Sequence, residues 1–484
     1  MQQTTPPAAD AALDHETDAG STSDYRLIGL IVASALFMEQ FDGTVLTTAL
    51  PTIARDFGVR PPALSVTVTS YLLALAVFVP VSGYMADRFG ARRVFSAAIG
   101  VFAMGSLGSA LTQGLGTMAA ARFLQGIGGA MMLPVGRLVM LRTVPPKDLV
   151  NATSWMLMPG LMGTILGPPL GGFIVTYMHW RAIFWINIPI AALALILVWR
   201  NIPDVRSEVP PVFDGVGFVL SAVALAALMI GFETAGPMHA GAAALLPLGL
   251  GVAMALAYWA HARRHPAPIM DFGLLRHRNF RLSWIAGSIS RLLQGAQPFL
   301  LALMVQYGFG FSAARSGTIT LATAVGSIVM KGLAGPVLRR LGFRNGLTLM
   351  GAAGTLVYAS CGFFSPQWPE WAIWGVLVLA GFLMSFQFTA YNTIAYDGLA
   401  PDEMSRATSF YTTFQQLTLS LGVCMAATIL QISTAAHGVQ HPQLRDCALA
   451  FWIIAAISFT AIIPNLSFAR DAGASLTGGD PTAH

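Results

Sequence analysis

The sequence predicts an all-α membrane protein, on three observations. Hydrophobic residues make up 55% of its 484 residues and Asp, Glu, Lys and Arg only 10%, against roughly a quarter charged in an average globular chain. Apolar surface in water is costly, so a chain with so few solvating side chains needs lipid around it. The apolar residues also gather into fourteen runs, each of roughly 20 residues, enough for a helix to cross a hydrocarbon core of about 30 Å. These runs are continuous, whereas barrel strands alternate over about ten residues, so helices are the only spanning structure they fit.

Taken in order, residues 1–25 are polar and acidic (Asp10, Asp14, Glu16, Asp18, Asp24), the composition of a disordered tail without the basic start and apolar core of a signal peptide. Spans are expected over 27–50, 66–86, 94–112, 117–140, 152–177 and 182–200, then over 214–234 and 241–260. A further six follow over 281–307, 314–336, 346–364, 371–394, 406–431 and 447–467. Basic residues concentrate in alternate loops: Arg88, Arg92 and Arg93; Arg142 and Lys147; Arg263, Arg264, Arg276, Arg278 and Arg281; Arg339, Arg340 and Arg344. The positive-inside rule puts these loops and both termini in the cytoplasm. Between Arg263 and Arg281 bases mix with Phe272, Leu274, Leu275 and Phe280, which suits either a short amphipathic helix at the inner interface or a plain linker.

Several function classes are excluded by the same inventory. The net charge of +5 resides in loops that set orientation, so no nucleic-acid face is expected. Cys361, Cys424 and Cys447 lie in or beside apolar runs and give no disulfide framework. The nine histidines are read as scattered, without metal-ligand spacing, and no metal site is expected. No nucleophile, acid/base pair or metal cluster suggests an enzyme.

Four segments carry chemistry. The loop after the second span, Gly83 to Arg93, combines Gly83 and Gly90 with Asp87, Arg88, Arg92 and Arg93. An ordinary basic inside loop accounts for its arginines but not for the acid set between glycines. A similar Gly- and Arg-rich turn, Gly335 to Arg344, follows a span in the second half, a weak internal symmetry of the kind transporters show. The fourth span carries Arg122 in an otherwise apolar, small-residue stretch, Arg122 to Ala130. Such a charge is expensive in a membrane and needs a partner in a bundle interior or watery cavity, with a packing anchor as the alternative.

The fifth span places Gly163, Gly167 and Gly171 at four-residue spacing beside Gly172, Pro159, Pro168 and Pro169. This is a smooth face for close helix contact on a helix loosened by proline, and a purely structural packing face is sufficient to explain it. The first span holds Glu39 and Asp42 three residues apart within an apolar run, hence at neighbouring helix positions. Burial disfavours the charged form of a carboxyl group and a nearby cation such as Arg122 favours it. The balance can place proton exchange in a working pH range. Carboxyls held neutral for packing are the competing reading.

Together with Trp180-Arg181 and the segment Phe184 to Pro189, these motifs resemble the major facilitator superfamily, in particular its fourteen-span drug:proton antiporters and their MdtD-like subgroup. The resemblance runs from Leu27 to about Leu466. It implies the major facilitator fold: a six-helix bundle over 26–203, two inserted helices over 204–262, a cytoplasmic amphipathic linker over 263–280, a second six-helix bundle over 281–468 and a tail over 469–484. It also implies that Asp42 and Arg122 couple to protons, whereas Glu39, a second candidate from its place in the span, departs from the family pattern and leaves one or two protons open. It further implies that Gly83, Asp87, Arg88, Gly90, Arg92 and Arg93 form a cytoplasmic gate latch whose Asp87 meets the start of the thirteenth span near Asp402 to Arg406. Gly163, Gly167, Pro168, Gly171 and Gly172 match the antiporter motif of exporters.

Polar and aromatic residues in later spans are candidates for a substrate cavity: Arg291, Gln294, Gln297 and Phe299, then Gln387, Tyr391 and Asn392, then Gln415. Such a mixture suits an amphipathic organic ligand, with interhelical hydrogen bonding as an equal competitor. The expected protein is a monomeric inner-membrane exporter that needs no cofactor and runs on the proton gradient.

Overall fold

The structure is a computed structural model and describes residues 24–144, 148–203, 213–234, 242–400, 403–473 and 476. The expected tail over 1–25 lies almost wholly outside these, as do Lys147, Asp402 and most of 469–484. Every long element among the described residues is a helix. The first set comprises α1 (Asp24–Phe57), α2 (Ser65–Phe89), α3 (Ala91–Leu111), α4 (Leu115–Thr143), α5 (Leu149–Tyr177), the single turn α6 (Ala182–Trp185) and α7 (Asn187–Asn201). Next come α8 (Gly215–Thr234) and α9 (Ala242–Ala262), which pack on each other. The last set is α10 (Arg278–Leu303), α11 (Ala313–Ser360), α12 (Glu370–Ile394), α13 (Met404–Ala436), α14 (Leu444–Phe459) and the short α15 (Ile462–Leu466).

Twelve of the described helices are long and apolar enough to cross a membrane. Two departures from the expected fourteen have local causes. The expected spans 314–336 and 346–364 run together as one 51-residue stretch, Ala313–Phe363, broken at Gly342, whose φ of 68° and ψ of 171° leave the helical region. A positive φ of this kind is strained for any residue with a Cβ. Helix α10 has the length of a span, 26 residues, but Arg281, Arg291, Gln294 and Gln297 keep it out of the most apolar class.

The linker after α9 holds a short 3₁₀ turn and no α-helix. Residues Phe272–Arg276 form a 3₁₀ turn started by Asp271, whose side chain accepts the Gly273 N–H. Met270 and Leu274 are buried against Tyr258, Phe280, Phe410 and Tyr411. Arg276 reaches Glu403 at 2.5 Å and Arg406 reaches Asp271 at 2.8 Å. The apolar residues that suggested an amphipathic helix therefore face protein.

Contacts between the two sets concentrate at one end. There a single core joins Leu46, Leu50 and Ile53 of α1 to Leu293, Leu300, Met304 and Ile319 of the last set. Gln306 donates to Thr48 O at 2.9 Å, Tyr307 to Pro51 O at 3.2 Å, and the Ala314 N–H to Thr176 Oγ1 at 2.9 Å. Toward the end that carries Asp24 each set has its own core: one within residues 25–202, the others within 258–468.

Candidate functional site

Asp42 lies inside the first set with no exposed surface, and Arg122 is 1% exposed. The two form an ion pair through Arg122 Nη1 and Asp42 Oδ2. Around them the sequence supplies a closed polar network. Gln125 donates to Asp42 Oδ1 at 2.8 Å and accepts from Arg122 Nη1 at 2.6 Å. Asn187 Nδ2 donates to Asp42 Oδ1 at 3.3 Å and to Ser106 Oγ at 2.9 Å. Ser106 in turn donates to Phe184 O at 3.1 Å. On its far side Arg122 donates from Nε to Thr67 O at 3.4 Å and lies 4.4 Å from the centre of the Tyr71 ring, a cation–π contact. Five helices, α1, α2, α3, α4 and α7, thus converge on one carboxylate. Pairing of this kind lets two charges sit inside a membrane protein.

Gln125, Asn187, Ser106 and Tyr71 were not singled out in the sequence. Gln125 stands within the Arg122 motif, three residues on, where a helix brings it beside Arg122. Asn187 belongs to the Phe184 to Pro189 segment. Its placement is set upstream, where Trp180 Nε1 and Arg181 Nη1 hold Asp56 at 3.0 and 3.1 Å and Arg181 Nη2 donates to Thr112 O at 2.8 Å. Glu39, one turn before Asp42, is half-buried and forms no hydrogen bond or ion pair among the described residues.

The glycine face of α5 lies against the helix that carries Asp42. A methyl group at Gly163 would meet Phe37 O at 2.9 Å and Phe41 N at 3.0 Å, both backbone atoms; at Gly171 it would meet Thr48 Oγ1 at 2.8 Å; and at Gly167 it would overlap Thr44. Gly172 turns instead to Ala313 and Ala314 of α11, and Pro168 and Pro169 back onto Gly317. One segment of α5 therefore touches both α1 and the opposite set.

In the loop between α2 and α3, Gly90 has φ 93°, which explains the glycine. A methyl group at Gly83 would meet nothing within 4 Å. Arg88 is exposed over Phe89, while Arg92 lies 5.0 Å from the Trp199 ring and donates to Ile202 O at 3.4 Å. Arg93 is exposed. The expected partner of Asp87 is corrected: its ion pair in this structure is with Arg142 at the end of α4, at 2.5 Å. Asp402 lies outside the described residues, and Arg406 is bonded to Asp271. The physical reason is the extent of the seam between α2 and α13, where Leu73, Ala76 and Val77 meet Leu417 and Cys424. Asp87 and Arg406 both lie beyond it.

Among the expected cavity residues, three are turned into packing. Phe299 is in the core shared by both sets. Gln387 is buried and accepts from Ser290 Oγ at 2.6 Å, and Tyr391 is buried and donates to Asn465 Oδ1 at 2.9 Å. In this structure Gln387 and Tyr391 thus make the interhelical hydrogen bonds that compete with the cavity reading, and Phe299 makes apolar packing contacts. Asn392 is half-buried and donates to Phe388 O of its own helix at 2.6 Å. Gln294 and Gln415 are half-buried. Arg291 is 2% exposed; Nη2 donates to Tyr411 Oη at 3.1 Å, while Nε, like Gln294 Nε2 and Gln297 Nε2, is buried without a partner. No carboxylate pairs with Arg291 among the described residues.

Two clusters fall outside the expectations. Glu233 accepts from Ser65 Oγ at 3.1 Å, Thr69 Oγ1 at 2.9 Å and Cys424 Sγ at 3.4 Å, so α8 holds α2 and α13 together. His261 and His265, read as scattered, lie together near Asp214.

Comparison with known proteins adds three findings. Residues 32–423 match the family described as Major Facilitator Superfamily. The chain is 34% identical over 446 residues to a protein of Serratia proteamaculans (strain 568) named as a multidrug resistance protein, MdtD, covering 91% of this chain and 92% of that one. A protein of the same name from Pectobacterium carotovorum subsp. carotovorum (strain PC1) is 35% identical over 413 residues, covering 84% and 87%. Among solved structures, an auto-inhibited POT family peptide transporter superposes with a TM-score of 0.65 at 17% identity, over 91% of this chain and 96% of that one, a likeness of fold.

Proposed function

The chain belongs to the Major Facilitator Superfamily and is a secondary transporter, and from that premise we propose that it exports small amphipathic organic compounds in exchange for protons, as a monomer in the inner membrane with both termini in the cytoplasm. The relatives named for multidrug resistance support the substrate class. We count fourteen crossings: the twelve apolar helices, with Ala313–Phe363 read as two spans and α10 added.

The observation that carries the proton coupling is the fully buried Asp42, tied to Arg122, Gln125 and Asn187. Protonation removes the charge that Arg122 answers and releases the guanidinium to Gln125, Thr67 O and the Tyr71 ring. That local exchange of partners is a two-state element on α1, the helix against which α5 packs its glycines. The sets are joined at the end opposite Asp24, so with that terminus in the cytoplasm the structure is inward-open. Substrate enters from the cytoplasm or inner leaflet, and a proton arriving from outside at Asp42 resets the cycle by alternating access. Glu39, half-buried on the same helix, offers a second proton site.

A second reading is favoured by Arg291. A buried guanidinium with no carboxylate partner among the described residues, its Nε unpaired beside the partnerless amide nitrogens of Gln294 and Gln297, is a set with more donors than acceptors. It suits a substrate carrying an anionic group, such as an endogenous metabolite, a siderophore or a metal chelate. Inverted vesicles separate these readings. Under an imposed proton gradient, cationic amphipathic compounds should accumulate, and Asp42→Asn should abolish that accumulation while the protein remains folded and inserted. Accumulation of anionic compounds only, lost in Arg291→Gln, selects the second reading. Full proton-driven transport by Asp42→Asn refutes the coupling assignment.

A further inference from the structure

The residue just before α8 and the end of α9 bring together a cluster that has no part in transport as derived above. His261 and His265 are four residues apart and share one face of the helix end, with ring centres 5.3 Å apart. Asp214 is only 3% exposed. Its Oδ1 accepts the Gly217 N–H at 2.8 Å and lies 2.7 Å from His261 Nε2. Its Oδ2 is buried and has no hydrogen-bond partner among the described residues. One ligand atom from each of the three residues lies within 4.8 Å of the other two. Capping the start of α8 requires one carboxylate oxygen; the second, buried and unpartnered, is costly unless something binds it.

We propose that Asp214, His261 and His265 form a site for a divalent transition-metal ion, with Zn²⁺ the best fit. Two imidazoles and one carboxylate match the donors zinc takes, at about 2.0–2.2 Å, in sites that keep a fourth position for water. Mg²⁺ and Ca²⁺ prefer all-oxygen shells, so they fit poorly. The rearrangement needed is small. The ion takes the place of the proton shared between His261 and Asp214. His265 gives up the long 3.3 Å bond that its Nδ1 accepts from the Ala267 N–H. The nearby Arg263 is stacked 3.5 Å over the Trp259 ring, which occupies its guanidinium. Bound metal links the start of α8 to the end of α9 and clamps this helix pair at its inner end, while Glu233 fastens α8 to α2 and α13 at the other.

The test uses the untagged full-length protein in detergent, stripped with a chelator and titrated with Zn²⁺ by calorimetry and with Co²⁺ by visible absorption. One Zn²⁺ per chain is expected, with a Co²⁺ spectrum of four-coordinate type. His265→Ala leaves the His261–Asp214 bond in place, so circular dichroism should report unchanged helicity. Its affinity should fall about a hundredfold or more, since loss of a mere outer-sphere partner already costs about 10–100-fold. His437→Ala, at a separate histidine–carboxylate contact, should bind as wild type. No saturable binding to wild type, unchanged affinity in His265→Ala, or loss in His437→Ala instead, overturns the proposal.

Discussion

Substituting Gly317 with alanine tests whether the joint between the two sets is a switch. The added methyl would meet the Pro168 carbonyl carbon at 2.8 Å and Pro169 Cα at 3.0 Å. Both are backbone atoms of α5, so no rotamer change relieves the overlap. Forcing a methyl into a packed contact costs about 1–3 kcal/mol, and here only in the form where the sets are joined. The ratio of open to closed joint should therefore rise by about 5–150-fold. Gln306 reports on it: the side chain is 8% exposed and bonded to Thr48 O across the joint. In a Gln306→Cys background, maleimide modification of the purified protein proceeds through the open form, while the native cysteines are buried. Its rate should rise by the factor above in Gly317→Ala. It should stay constant in Gly332→Ala, where a methyl meets nothing within 4 Å. An unchanged rate in a folded Gly317→Ala protein would refute the reasoning that backbone contact at this point holds the joint closed.

Two further outcomes follow from the charged clusters. Arg122→Leu strands the buried Asp42 and should lower stability by about 3–5 kcal/mol, whereas Asp42→Asn with Arg122→Gln should recover most of it; thermal denaturation in detergent measures both, and equal loss in the double variant contradicts the pairing. Glu403 anchors the linker, and its carboxyl is held below the ordinary value of 4.5 by the Ala400 N–H, then by His277 and Arg276. A depressed folded-state value means that the anchoring is complete above that ordinary value and is lost as pH falls through the lower one. Hydrogen exchange of residues 270–277, corrected for intrinsic rate, should stay slow at neutral pH and rise only below about pH 4.5; in Glu403→Gln that pH dependence should vanish. A midpoint near neutrality would contradict it.

The spans were legible in the sequence because a membrane demands long apolar runs whatever their neighbours. Helix α10 was legible for the same reason despite its polar stripe. Asp42 and Arg122 stood out because a charge in an apolar run needs a partner. Their network did not stand out, since Asn187 and Ser106 look like ordinary polar residues until α7 and α3 fold against α1. Phe299, Gln387 and Tyr391 show a different limit, since the sequence left cavity lining and interhelical bonding open for them. Their residue types suited a ligand cavity, but rotation about the helix axis, set by packing, turned them to neighbouring helices. Asp87 was identified as a charge needing a partner, yet which cation answers it depends on the separation of the two sets.

Composition, run length and spacing alone determined a helical membrane protein with charges set in the apolar runs of α1 and α4 and a smooth glycine face on α5; the major facilitator kinship came from the resemblance of its motifs. These properties reside in single helices, where chemistry and periodicity act locally. Tertiary structure alone decided that the glycine face abuts the Asp42 helix, that α5 also touches α11, that no carboxylate among the described residues pairs with Arg291, and that Asp214 meets two histidines more than forty residues away. Each of these is a relation between helices. Hydrophobic driving force is the same in every direction around a span, so only the packing of one helix against another fixes which side chains meet.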